Sequence, residues 1–92
     1  MRSQIEIQEE LSKLKEMKDK IPSFNSFGEN NHKAIEAQIF VLSRGSDIGE
    51  RDVQKVSKNS RVVDFAFFAY DWMKGASSDS PSEDWSFLRK KE

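Results

Sequence analysis

Val62-Val63-Asp64-Phe65-Ala66-Phe67-Phe68-Ala69-Tyr70-Asp71-Trp72-Met73 is the stretch on which the fold turns. Only Asp64 and Asp71 are polar within it. They lie about two helical turns apart, which puts them on one side of a helix and matches no strand alternation. A helix is therefore expected despite the β-prone aromatics. Its stripe Val62, Ala66, Ala69 and Met73 has small residues in the middle, so a neighbouring backbone can come close there and the stripe should be the heart of the core. Phe65 and Trp72 fall on one flank, Val63 and Tyr70 on the other. Phe67 and Phe68 project on either side of the aspartate line. One packed face cannot take all of these rings, so either the helix is surrounded or another chain covers part of it.

Downstream, Gly75 ends that helix and residues 76–82 form a serine-rich link. Ser80-Pro81-Ser82-Glu83 then supplies a capping hydroxyl, a proline at the first helical position and a glutamate at the third, which predicts a short C-terminal helix. Trp85, Phe87 and Leu88 should anchor it to the body. Upstream, Asp47 and Glu50 can form a capping box for a helix bearing Val53 and Val56. The polar run Ser57-Lys58-Asn59-Ser60 either breaks this helix or forms its waist. Val53, Val56, Val63 and Tyr70 fall on one line, so a single helix through 50–74 is the preferred reading and two helices the alternative.

Further back, a helix from about Asn31 to Arg44 carries Ile35, Ile39 and Leu42 on one stripe, with Ala34, Ala37 and Val41 beside it. So wide an apolar face implies more than one neighbour. Gly45 should close it in the left-handed conformation. Residues 22–31 read as a turn-rich connection, with Phe24 and Phe27 tucking it onto the core. The opening segment, 1–21, is an amphipathic helix on Ile7, Leu11, Leu14 and Ile21, with a Ser3–Glu6 capping box and a stop at Pro22. It can cover the core or pair with a second copy as a short coiled-coil arm.

The fold class that follows is all-α, a small three- to four-helix bundle with a short C-terminal helix, in one domain over 1–92. A chain of 92 residues buries only roughly 60 to 65% of the surface its unfolded form exposes, so self-association would be a welcome supplement. Disulfides cannot supply it, because there is no cysteine; that composition suits a reducing, cytoplasmic setting. Fifteen basic against sixteen acidic residues create no field toward nucleic acid or anionic membrane. The first residues carry no signal or transit pattern, and no segment is apolar enough to span a bilayer.

Little in the chain suggests catalysis. His32 is the single histidine, a capping or solvated residue rather than a ligand or base. Asp64 with Asp71 and Glu83 with Asp84 read as a solvated helix edge and a helix start. No phosphate loop, metalloprotease helix or calcium loop occurs, and neither cofactor nor metal is expected. Ala34 to Lys58 resembles a helix-turn-helix only superficially. Arg51, Lys55, Lys58 and Arg61 could touch phosphate, but Asp47, Glu50 and Asp52 offset most of their charge.

The reading is thus a small non-enzymatic accessory or regulatory protein, a homodimer, acting through protein contacts at Phe67, Phe68, Trp72 and Trp85. Two Asp-Trp pairs, Asp71-Trp72 and Asp84-Trp85, bring these rings close in sequence: either Trp85 folds back on Trp72 and Phe68 as a local cluster, or the patch receives a partner, since aromatic residues dominate interface hot spots. The alternative is a nucleic-acid-binding regulator that uses the Arg51–Arg61 stretch.

Overall fold

The computed structural model describes residues 1–21 and 26–85, with side chains placed for 1–21 and 31–85. Its elements are α1 (Gln4–Lys18), α2 (Ser26–Arg44), a 3-10 turn (Gly45–Asp47), α3 (Glu50–Gln54) and α4 (Ser60–Lys74). A further 3-10 segment covers residues 81–85. The all-α bundle is as expected, and the described residues include no strand. The radius of gyration, 12.5 Å, matches the roughly 12 Å of a compact chain of this length. No helix among the described residues is long and apolar enough to cross a membrane.

Helix α2 is the central element, packed on α4 along one side and on α1 along the other. That is the consequence of its wide apolar face: Ala34, Ile35, Val41 and Leu42 are all buried. Facing it, the α4 stripe of Val62, Ala66, Ala69 and Met73 is buried in full, and its two alanines leave room for the α2 backbone. From α1 come Ile7, Leu11 and Leu14, joined by Met17 at the seam position next to Lys18. Ser3 and Glu6 form the expected capping box. The helix stops at Lys18, and Ile21 is buried beyond its end.

The end of α1 falls short of the expected stop at Pro22, and three further boundaries differ from expectation. Helix α2 begins at Ser26, five positions (31 − 26) before Asn31, inside the stretch read as a turn. Residues 50–74 form two helices, α3 and α4, instead of one. Ser57 and Asn59 take the backbone for themselves: Ser57 Oγ accepts from the Asn59 amide at 3.0 Å, and Asn59 Oδ1 caps α4 through the Arg61 amide at 2.9 Å. Such local side-chain acceptors compete with helix continuation. At the start of α3, Asp47 belongs to the 3-10 turn, and Asp52 Oδ2 accepts from the Gly49 amide at 3.0 Å. The cap therefore sits two residues (49 − 47) later than the Asp47–Glu50 pairing and is one-sided, because the N-cap residue Gly49 has no side-chain acceptor. Phe24, Phe27, Phe87 and Leu88 lie outside the residues whose side chains are described.

The end of α4 is tied down twice. Gly75 adopts φ 86°, and the Ala76 amide reaches back to the Asp71 carbonyl at 2.8 Å, closing the helix in a left-handed cap. Arg2 then seals it. Its backbone amide donates to the Met73 carbonyl at 2.9 Å, its Nε to the Trp72 carbonyl at 3.1 Å and its Nη2 to the Ser77 carbonyl at 2.8 Å.

Candidate functional site

Among the described residues a concavity lies where α3 is too short to cover α2. Five residues make barely more than one turn, and the chain between α3 and α4 swings past α2 without filling the space. A groove of about 680 Å³ results. Ala37, Phe40, Val56 and Val62 give it an apolar floor; Lys33, Glu36, Lys55 and Ser57 form its rim. Past Phe40 it continues into a recess of about 230 Å³ reaching Arg44, Ile48 and Asp52. Phe40 is 44% exposed, a large ring left in water on a helix that otherwise buries its apolar side.

Charges around the groove are unevenly engaged. Glu36 is held by Lys18 Nζ at 3.3 Å and faces His32 Nδ1 at 3.3 Å. Asp52 is committed to the α3 start. Arg44 lies over the Phe40 ring, its guanidinium carbon 5.8 Å from the centroid. Neither Arg44 nor Lys55 has a carboxylate partner among the described residues.

The four residues expected to meet a partner are divided by the fold. Trp72 is 6% exposed and Trp85 1% exposed, so a partner meets neither in this conformation. The Arg2 guanidinium covers Trp72 at 5.0 Å. Trp85 folds back onto Phe65, with which it stacks at 5.0 Å and 23°. Phe67 is half-buried and meets Tyr70 edge-on at 6.1 Å. Only Phe68, 49% exposed, stands well out; it braces Phe65 edge-on at 5.5 Å. The aromatic surplus of α4 is thus largely absorbed within one chain, because α2, the N-terminal residues and residues 81–85 together enclose it. Around Phe68 a cleft of about 260 Å³ is bordered by Asp71, Ser77, Asp79 and Asp84. Among the described residues no His, Cys, Asp and Glu cluster could hold a metal ion.

Beneath that cleft is a polar cluster that the sequence reading missed. Gln38, fully buried, donates from Nε2 to the Phe65 carbonyl at 3.0 Å and to Asp84 Oδ2 at 3.0 Å, while its Oε1 accepts from Trp85 Nε1 at 2.8 Å. Nearby, the Ser82 amide donates to the buried carboxylate of Glu10. Burial raises the Asp84 pKa, the Gln38 hydrogen bond works against this, and the charges of Asp79, Glu83 and Glu10 add to it. The signal was a lone glutamine within the wide apolar face of α2.

The Arg51–Arg61 cations do not form a recognition helix. Arg51 is on α3, Lys55 at its end, Lys58 in the following loop and Arg61 on α4, where it lies 5.9 Å over the Phe65 ring. A groove-reading helix needs several side chains projecting from one continuous face. Comparison with protein-family models, curated proteins and solved structures finds no match to the chain.

Proposed function

We propose that this chain is a small, non-enzymatic accessory or regulatory protein that acts by binding another protein through the groove floored by Phe40. The observation that carries the reading is the exposed Phe40 ring beside Val56, Ala37 and Val62. A large aromatic at the centre of a concave apolar strip, rimmed by charge, is the anatomy of an interface hot spot. The reducing cytoplasm suits its cysteine-free composition as a place of work.

The test is a titration of the isotope-labelled full chain with a neutral amphipathic helical peptide bearing leucines at i, i+3, i+4 and i+7. Amide shifts clustered at Ala37, Phe40 and Val56, and lost in Phe40→Ser, support the reading. Absence of any shift in the groove overturns it.

Self-association at Phe68 is a second reading, favoured by that half-exposed ring alone. Asp71, Asp79 and Asp84 border the same face, so two copies meeting there would bring like charges together. Light scattering on the wild type and on Phe68→Glu decides it: a dimer that the substitution dissociates supports the contact, and a monomer removes it.

A further inference from the structure

Lys33 to Arg44 spans 11 positions (44 − 33) of α2 along the groove, about 16 Å at the helical rise, which is room for about three turns of a second helix. An extended peptide fits less well. Its backbone amides and carbonyls would face the apolar floor of Ala37, Phe40 and Val56 without partners, and the described residues offer no strand edge to pair them. A helix satisfies its own backbone and needs only an apolar stripe to lay against Phe40.

The rim sets the charge of that helix. Its two carboxylates are already committed, Glu36 to Lys18 and His32, and Asp52 to the Gly49 amide. Lys55 and Arg44, which both border the recess past Phe40, have no carboxylate within ion-pair distance among the described residues, and Arg44 is held over Phe40 where an incoming side chain would meet both. A basic segment would set its ammonium groups against these cations; an acidic one supplies what they lack.

The geometry points to an acidic amphipathic helix of a partner protein, about three turns long, with its apolar stripe on Phe40 and Val56 and its carboxylates against Lys55 and Arg44. This inference rests on the groove being a protein-binding surface and adds the chemistry of the occupant.

Three helical peptides with the same leucine stripe and with Glu, Gln or Lys at the flanking positions test it against the full-length chain. At low salt the Glu peptide binds about three- to tenfold more tightly than the Gln peptide, and the Lys peptide more weakly, as two exposed ion pairs allow. The preference shrinks at high salt. Arg44→Glu with Lys55→Glu, both on the surface, reverses the order while the circular dichroism spectrum stays unchanged. Equal affinities for the Glu and Lys peptides overturn the acidic partner but leave the groove as a protein site; no binding of any peptide overturns both. A dimer abolished by Phe40→Ser, or single-stranded DNA competing for the groove more tightly than the Glu peptide, would overturn it in favour of a second copy or of nucleic acid.

Discussion

Trp85 donates its indole N–H to the side-chain oxygen of Gln38 at 2.8 Å, across 47 positions of sequence. The same amide holds Asp84 and the Phe65 carbonyl through its nitrogen. One buried residue of α2 thereby fastens residues 81–85 to α4. Every buried polar side-chain atom among the described residues finds a partner, which is what makes such a cluster tolerable in a low-dielectric interior.

Replacing Gln38 by leucine keeps the volume roughly constant but leaves the Trp85 N–H without its Gln38 acceptor and Asp84 without its Gln38 donor, while the Phe65 carbonyl keeps its helical bond within α4. Each orphaned buried group costs about 1 to 3 kcal/mol. Urea unfolding of Gln38→Leu should show a loss of about 1 to 3 kcal/mol, most of it from the buried Trp85 N–H. A change within experimental error would mean that the cluster contributes little.

Asp84 gives the protein a defined response to acid. Its native pKa lies above the ordinary 3.8 because burial disfavours the charged form. The native state therefore holds its proton in a range where the unfolded state has released it. Stability from this group is present below the unfolded-state value and is lost as pH rises through the native one. Asp84→Asn keeps an acceptor for Gln38 and removes the titration. Unfolding measured from about pH 4 to about pH 7 should then lose part of its downward slope, with the variant at least as stable as wild type at neutral pH. An identical slope would refute the assignment.

Arg2 fastens the start of the chain to the end of α4. Arg2→Ala removes two side-chain donors to backbone carbonyls and the cation over Trp72, for an expected loss of about 1 to 2 kcal/mol. Arg2→Lys should recover only part of it, since an ammonium cannot reproduce the planar fork. Thermal melts of the three proteins give the comparison.

Gly75, at φ 86°, is a position where any side chain is strained. Gly75→Ala should destabilise by about 1 kcal/mol. Gly49 has a negative φ of −115°, and a methyl group there would meet nothing nearer than Asp52 Oδ2 at 3.9 Å. Gly49→Ala should cost clearly less, and equal losses would show that backbone conformation is not the cause.

The Val62–Met73 helix, its buried stripe and its C-terminal end were readable from residue spacing, because a period of 3.6 and a C-terminal glycine are local physics. So were the Ser3–Glu6 cap and the apolar seam of α1. The break between α3 and α4 was harder: Val53, Val56, Val63 and Tyr70 align on a continuous helix, and nothing in that alignment reveals that Ser57 and Asn59 hydrogen-bond their own backbone instead.

Where each ring of α4 would go was settled only by assembly. Periodicity states which side of a helix a residue takes, but not what stands opposite. Arg2 lies 70 positions from Trp72, and Gln38 lies 47 from Trp85; these distant partners hold both tryptophans in the core and away from a partner. The same assembly left Phe40 uncovered, because α3 stops after five residues. Local order follows from neighbours along the chain, whereas exposure follows from elements that meet only once the chain has folded.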